Sequence, residues 1–119
     1  MTRIGCAVIA AAGLLAPARA ADMHAPFDKI LDVYVRDGYV YYKALQQERR
    51  ALDQYVAALD VPAAQVAAWP RDAQTAFWLN AYNALVLQTV IDKYPIKGAA
   101  PDYPPTSVRQ IPEIGRAHV

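Results

Sequence analysis

Asn80 and Asn83 are the two residues of this chain whose type and spacing most favour specific chemistry. Each side-chain amide offers two hydrogen-bond donors and an acceptor, so the pair could orient a catalytic group or bind a ligand carbonyl. The same amides could instead tie their helix to loop backbone that has no other partner. Because buried amides are usually hydrogen-bonded, we favour this structural interpretation.

Tyr82 and Arg109 are the other candidate orienting or binding residues. An arginine can bind a carboxylate or a phosphate, although a single arginine in a loop is usually solvated. Ser107 has neither a histidine base nor the glycine-rich turn of a serine nucleophile, so we expect it to cap a short turn. We therefore assign no catalytic residue to this chain.

Motifs for cofactors and metals are absent from the sequence. It contains no phosphate-binding loop and no dinucleotide fingerprint. The two histidines, His24 and His118, lie near opposite ends and have no neighbours at ligand spacing. We predict neither a cofactor nor a metal site.

Both asparagines fall within residues 77–85, a run that is apolar on nearly every side of a helix. Such a helix is normally buried, because no face is polar enough to meet water. We predict a long buried helix from about residue 72 to residue 93, with Trp78 in the core and both amides paired inside the protein. Pro95 should end it. The predicted outward strip consists of Thr75, Tyr82, Thr89 and Lys93.

Shorter elements must position this helix. The predicted elements are amphipathic helices over 28–34 and 45–59, a turn over 36–38, an extended segment over 39–42, one or two turns between Pro62 and Pro70, and a proline-bearing loop over 97–105. The fold class that follows is α-rich, with two antiparallel amphipathic helices packing on one long buried helix. Tyr39, Tyr41 and Tyr42 could line a groove, although packing explains them equally well.

The first twenty residues have the layout of a secretory signal peptide. Arg3 precedes an apolar stretch over 4–16, and residues 18–20 form a small-x-small cleavage site. The apolar stretch is too short to span a bilayer core of ~30 Å. We expect export to the periplasm or the extracellular space, with Ala21 as the mature N-terminus. Cleavage would remove Cys6, the only cysteine.

Charge gives no sign of a nucleic-acid partner. Without Arg3 and Arg19, the twelve basic residues fall to ten against eleven acidic residues, a net charge of −1. The two signs are interspersed, and Arg49–Arg50 is the only adjacent basic pair after the signal peptide. We predict no nucleic-acid binding and no stable membrane span once the signal is removed.

The last seven residues, 113–119, match the translation of a common short-read library adapter. We interpret them as an artefactual tail and expect the gene to continue past Pro112. On this interpretation residues 21–112 are a partial domain, and His118 is not a site residue.

Three stretches of the sequence resemble the domain-of-unknown-function 547 family. They are AFWLNAYNAL at 76–85, VIDKYP at 90–95 and SVRQIP at 107–112. Members of the family are often exported bacterial proteins of unestablished activity. The resemblance implies an α+β domain that continues past the Ser107 segment with a strand region containing a histidine and cysteines. The absence of that strand region here should leave the long helix with an exposed apolar flank.

The sequence thus predicts an exported α-rich fragment of that family without an assigned biochemical activity. Two function classes stay open. One is a thiol-dependent hydrolase or acyl transferase whose Cys and His lie beyond Pro112, with Asn80 and Asn83 as orienting residues. The other is a noncatalytic envelope module that binds a peptide or a glycan in a tyrosine-lined groove.

Overall fold

The computed structural model describes residues 22–115, which form six helices and one two-stranded sheet. The elements are α1 (Ala25–Tyr34), β1 (Val35–Arg36), β2 (Tyr39–Val40), α2 (Tyr42–Gln47), α3 (Arg50–Ala58), α4 (Ala63–Ala67), α5 (Arg71–Lys93), a 3-10 turn (Val108–Gln110) and α6 (Pro112–Gly115). The predicted α-rich character is confirmed. The expected signal peptide over 1–20 and the last four residues of the expected tail lie outside the described residues.

A tight hairpin follows α1. Asp37 and Gly38 both have positive φ angles, of 53° and 81°, as a two-residue type I′ turn requires. The strands on either side pair antiparallel, with Val35 opposite Val40. The predicted turn is confirmed at residues 37–38, whereas Arg36 belongs to β1. Of the extended segment predicted over 39–42, residues 39–40 form β2, and Tyr42 already begins α2.

The single helix predicted over 45–59 is wrong, because the chain forms two helices there. α2 ends at Gln47 and α3 begins at Arg50. The five residues 46–50 are all polar, so no apolar side chain holds a continuous helix against the core across this stretch. On either side of the break Leu45, Leu52 and Tyr55 are buried, whereas Val56 and Leu59, which share the apolar face of the predicted helix, are half-buried.

Prolines delimit the next two helices, as predicted. Pro62 directly precedes α4, and Pro70 directly precedes α5. Proline interrupts a helix but is tolerated where one begins. α5 then runs for 23 residues to Lys93, and Pro95 ends it because the residue before a proline is driven towards extended backbone.

The main core lies where α1, α2, α3 and α5 meet. α1 packs on α3, and both α2 and α3 pack on α5. The buried side chains of this core are Phe27, Ile30, Leu45, Leu52, Tyr55, Ala84, Leu87 and Ile91. A second, smaller cluster near the end of α5 contains Val90, Ile96, Ile111 and Ile114.

The prediction that α5 is buried on nearly every side is wrong. Its buried residues are Phe77, Ala81, Ala84, Leu87, Val90 and Ile91. Trp78, which we expected in the core, is more than half exposed, because the packed helices cover only the other side of α5. An exposed apolar flank is therefore present on this helix. Within residues 22–115, no helix combines the length and the apolar character needed to cross a membrane.

Gln110 organises the loop over 97–105. Its side-chain amide donates to the carbonyl oxygens of Ala100 and Tyr103 at 2.9 and 3.0 Å, and its Oε1 accepts from the Ala100 N–H at 3.0 Å. A Cβ at Gly98 would collide with the Gln110 side chain. Glycine at 98 thus lets the start of the loop approach the Gln110 side chain closely.

Gln46 closes the C-terminal end of α5. Its Nε2 donates to the backbone carbonyl oxygens of Ile91 and Tyr94, both at 2.8 Å. The last carbonyls of a helix have no partner within the helix, so these bonds satisfy groups that would otherwise lack one. Because Gln46 belongs to α2, the same bonds fix α2 against the end of α5.

We expect Gln46→Ala to lower the free energy of unfolding by about 1–2 kcal/mol, because it removes both bonds to half-buried carbonyls. Gln46→Glu should lower it further, since a carboxylate would face carbonyl oxygens at the negative end of a helix dipole. Urea denaturation followed by circular dichroism measures both changes. Gln47→Ala, at the exposed neighbouring position, is the control and should stay within about 0.5 kcal/mol of wild type. Equal losses at 46 and 47 would contradict the capping role.

Candidate interaction site

The outer side of α5 carries a continuous apolar surface. Trp78, Tyr82 and Leu85 follow one another at spacings of four and three residues, so they share one strip of the helix, and Leu79 lies beside it. Their exposed fractions are 56% for Trp78, 60% for Leu79, 47% for Tyr82 and 49% for Leu85. We call these four residues the α5 face. Exposed apolar surface of this kind is typical of an interaction site.

Asn80 and Asn83 are not paired inside the protein, which corrects the central expectation from the sequence. Asn83 is exposed and Asn80 is half-buried. Among residues 22–115, neither side-chain amide hydrogen-bonds another protein group. The physical reason is the one-sided packing of α5. Asn83 is only 40° around the helix from Leu79 and therefore faces the same open side.

Tyr82 occupies the middle of the α5 face. Thr75 and Lys93, which share its predicted outward strip, are also exposed, whereas Thr89 is half-buried. Both threonine hydroxyls donate to carbonyls one turn earlier, Thr75 to Arg71 at 3.1 Å and Thr89 to Leu85 at 2.8 Å. The strip therefore offers one aromatic ring and few free polar groups.

Arg109 lies against the ring of Tyr103. Its guanidinium carbon is 5.7 Å from the ring centroid of Tyr103, a cation–π distance, and its side chain is exposed. Its backbone N–H donates to Ser107 Oγ at 3.2 Å, so Ser107 caps the 3-10 turn as predicted. In the part of the chain that the structure describes, no hydrogen bond joins Arg109 to Asn80 or Asn83.

An open cleft of about 340 Å³ lies beside α2. Tyr41, Tyr42 and Tyr94 contribute aromatic rings to it, and the ring centroids of Tyr42 and Tyr94 are 5.8 Å apart. The rest of the lining comes from Lys43, Ala44 and Gln47. Tyr39, which the sequence groups with Tyr41 and Tyr42, lies on β2 outside the lining.

Arg49 joins α3 to α5 through two carboxylates. Its Nε donates to Asp53 Oδ2 at 2.9 Å, and its Nη2 lies 2.6 Å from Asp92 Oδ1 on α5. Gln88 Nε2 donates to Asp53 Oδ1 at 3.0 Å. Hydrogen bonds from Arg49 and Gln88 lower the pKa of Asp53. Because the three charged side chains are between 35% and 51% exposed, solvent screens the pairs, and the network orients the two helices more than it stabilises them.

The sequence does not predict this network. The apolar pattern of residues 45–59 leaves Arg49 and Asp53 on the polar side of the helix, where solvent is expected, but the edge of that side contacts α5. The available signals were two pairs at a spacing of four residues, Arg49 with Asp53 and Gln88 with Asp92. Nothing in the sequence shows that these two pairs, which lie 35 or more residues apart along the chain, contact each other.

His24 forms a buried pair with Tyr55, which the sequence also did not predict. The side chain is 7% exposed, and its Nδ1 lies 2.6 Å from the Tyr55 hydroxyl. The Tyr55 ring stacks on Phe27 at a centroid distance of 4.8 Å. Burial lowers the pKa of His24 below its ordinary value of 6.5, against the opposing charge of Asp28, and burial raises the pKa of Tyr55 to about 12.

This pair predicts that stability decreases at mildly acidic pH. Because the pKa of His24 is lowered in the folded protein, the unfolded chain binds more protons, and the contribution of neutral His24 is complete above pH 6.5 and is lost as the pH falls through that value. We expect the free energy of unfolding to fall as the pH decreases through about 6.5, by at most ~1.4 kcal/mol per pH unit for one proton.

Urea denaturation at each pH measures this effect, with His24→Gln as the comparison. The substitution removes the titrating imidazole. The other titratable groups contribute equally to the pH dependence of the free energy of unfolding in both proteins. The difference in stability between wild type and His24→Gln should therefore shrink as the pH falls. A difference that stays constant across the range would contradict the burial of a neutral imidazole at position 24.

Two surface features stand out among the described residues, an apolar area on α5 and a group of aromatic rings beside α2. Within residues 22–115, no cluster of three or more His, Cys, Asp or Glu side chains could hold a metal ion. The Ser107 hydroxyl is engaged as a cap.

No protein-family model, curated protein or solved structure matches this chain. The resemblance to the domain-of-unknown-function 547 family thus stays a prediction that rests on residues 76–85, 90–95 and 107–112. The interpretation of the α5 face accordingly depends on its own geometry.

Proposed function

We propose that this chain is part of an exported protein of the domain-of-unknown-function 547 family, that it acts by binding rather than by catalysis, and that the α5 face is its contact surface. An antiparallel arrangement of α1 and α3, together with continuation of the gene past Pro112, belongs to the same proposal. The mature chain would begin at Ala21 and work in the periplasm or outside the cell.

The single observation that supports this function is the exposure of the α5 face. Its four large apolar side chains are each about half exposed or more. Two of them, Trp78 and Tyr82, are of the aromatic types that are enriched in protein–protein interfaces. Each Å² removed from water on binding is worth roughly 25 cal/mol. Asn80 and Asn83, at or near the edge of this surface, offer amide groups for hydrogen bonds to a partner.

The enzyme alternative has no support among the described residues. It requires a cysteine and a histidine beyond Pro112 that approach Asn80 and Asn83. Long-read sequencing of the locus tests this alternative. A genomic stop codon directly after Val119 would contradict both the enzyme alternative and the interpretation of residues 113–119 as translated adapter.

The tyrosine-lined cleft favours a second candidate function, the binding of a short glycan. Aromatic faces stack against apolar faces of sugars, and Lys43 and Gln47 could bond hydroxyls at the rim. Titration of the protein with soluble glycan oligomers, observed by NMR, tests this function. Shifts confined to Tyr41, Tyr42 and Tyr94 would support it, and no shifts at millimolar glycan would exclude it.

Dye binding tests the contact surface directly. We expect the folded chain to raise the fluorescence of an environment-sensitive apolar dye, and Leu79→Lys with Leu85→Lys to reduce that signal by more than half. The matched control is Val33→Lys with Tyr39→Lys, which alters two residues that are 58% and 74% exposed on α1 and β2. If both double variants bind the dye equally, the α5 face is not a distinct surface.

Export is tested by expressing the gene with its own first twenty residues in a bacterial host. The periplasmic fraction should contain a product whose intact mass corresponds to a start at Ala21. Ala20→Phe, which places a bulky side chain at the expected cleavage site, should abolish processing. An unprocessed wild-type chain retained in the cytoplasm would contradict this part of the proposal.

A further inference from the structure

An open polar groove adjoins the tyrosine-lined cleft. The groove has a volume of about 520 Å³ and lies over the break between α2 and α3. Gln47 lines both the groove and the cleft, so the two share an edge. The remaining lining of the groove comes from Glu48, Arg49, Arg50, Asp53, Gln54 and Ala57. We call the cleft and the groove together the cleft–groove surface.

The two carboxylates of this surface are already engaged by donors of the protein. Glu48 accepts a hydrogen bond from the Tyr34 hydroxyl at 2.8 Å. Asp53 accepts from Arg49 Nε at 2.9 Å and from Gln88 Nε2 at 3.0 Å. Protein donors thus occupy acceptor positions on both carboxylates, and the guanidinium of Arg49 offsets the charge of Asp53.

Two cations of the same surface have no such partners. Within residues 22–115, the ion pairs join Arg49 to Asp53 and to Asp92. Lys43 in the cleft and Arg50 in the groove are exposed and pair with no carboxylate in that part of the chain. Ammonium and guanidinium groups both bind carboxylates, the guanidinium often through two parallel hydrogen bonds. The surface therefore complements an elongated ligand that carries negative charge at more than one point.

The other groups of the surface favour a sugar as the carrier of that charge. The three tyrosine rings of the cleft offer faces on which the apolar side of a sugar ring can stack. Gln47 and Gln54 are exposed, and their amides can both donate to and accept from hydroxyls. A nucleic acid fits less well, because its closely spaced phosphates would meet the two carboxylates of the groove.

We propose that the cleft–groove surface binds a linear acidic oligosaccharide, one of whose sugar rings stacks on the tyrosines while its carboxylates pair with Lys43 and Arg50. This inference rests on the second candidate function, the binding of a glycan in the tyrosine-lined cleft. It adds the chemical class of the glycan and extends the site past Gln47 into the groove. It does not involve the α5 face.

An NMR titration of the exported chain with tetragalacturonate, a chain of four uronic acids, tests the inference. The reference ligand is the same tetramer with methyl-esterified carboxyls, which keeps the sugar rings and removes their charges. Two solvent-exposed ion pairs should make the acidic tetramer bind roughly fivefold more tightly than the ester. That preference should shrink as salt is added. Chemical-shift changes should extend beyond the three tyrosines to Arg50 and Gln54.

Neutralising the two cations tests their role. Lys43→Gln with Arg50→Gln should lower the affinity for the acidic tetramer to that for the ester and leave the affinity for the ester unchanged. The matched control is Lys29→Gln with Arg71→Gln, which removes two exposed cations that line neither the cleft nor the groove. This control should keep the full preference for the acidic tetramer. Circular dichroism confirms that each variant is folded.

Removing one tyrosine ring tests the stacking. Tyr41→Ala should weaken the binding of both tetramers by about threefold or more, because the ring contacts the sugar and not its charge. Tyr39→Ala removes a more exposed ring outside the lining and should leave both affinities unchanged. Equal effects at positions 39 and 41 overturn the placement of the sugar in the cleft.

Failure of this inference is distinguishable from failure of glycan binding as a whole. Equal affinities for the acidic tetramer and the ester overturn the acidic class and leave glycan binding in the cleft. Absence of binding by either tetramer at millimolar concentration overturns both. A hexaglutamate peptide or an oligothymidylate that binds as tightly as tetragalacturonate overturns the inference, because the surface would then recognise charge without the sugar.

Discussion

Phe27→Ala is expected to lower the free energy of unfolding by about 3–5 kcal/mol, the largest loss of any single truncation in the main core. Phe27 is fully buried, its ring stacks on Tyr55 at 4.8 Å, and it belongs to α1, which packs on α3. Removal of the ring leaves a cavity that surrounding helices fill only in part. Since domains of this size are stable by only about 5–15 kcal/mol, much of the folded population should be lost on mild heating.

Val33→Ala is the matched control for this prediction. Val33 belongs to the same helix and is 58% exposed, so its truncation should change the free energy of unfolding by less than about 0.5 kcal/mol. Urea denaturation followed by circular dichroism compares the two variants. If Phe27→Ala loses less than about 1 kcal/mol, α1 is not anchored in the core through this side chain.

A carboxylate at position 84 should be nearly as damaging. Ala84 is fully buried on the side of α5 that faces the main core. Ala84→Asp would bury a charge without a partner and overfill the site, and we expect a loss of about 3–5 kcal/mol or failure to fold at room temperature. Urea denaturation at neutral pH measures the loss.

Asn83→Asp introduces the same side chain one residue earlier. Because Asn83 is exposed, the free energy of unfolding should stay within about 0.5 kcal/mol of wild type. The contrast between neighbouring residues tests which side of α5 is buried. Comparable losses at 83 and 84 would mean that α5 is enclosed on both sides, as the sequence first indicated.

Local signals in the sequence predicted much of the backbone. Pro62, Pro70 and Pro95 act on their immediate neighbours, so the ends of α4 and α5 could be predicted from them. Asp37–Gly38 supplies the positive φ angles of a type I′ turn. The break between α2 and α3 was harder to predict, because the apolar spacing of Leu45 and Leu52 fits one continuous helix.

The candidate site depends on information that periodicity does not contain. Apolar residues surround α5 on nearly every side, so the hydrophobic pattern could not tell which side meets α2 and α3 and which side forms the α5 face. The pairing of His24 with Tyr55 spans 31 residues along the chain. Contacts of this kind follow from tertiary packing and leave no local trace in the sequence.

The central claim is that the outer side of α5 is open to a partner, and Trp78 reports on it directly. Trp69→Phe leaves Trp78 as the only tryptophan, and Trp78→Phe leaves the half-buried Trp69 as the internal reference. Acrylamide quenching should be measured on folded protein, at dilutions where sedimentation shows a monomer. Trp78, which is 56% exposed, should be quenched far more readily than Trp69. A Trp78 shielded as well as Trp69 or better, in a folded monomer, would contradict the central claim.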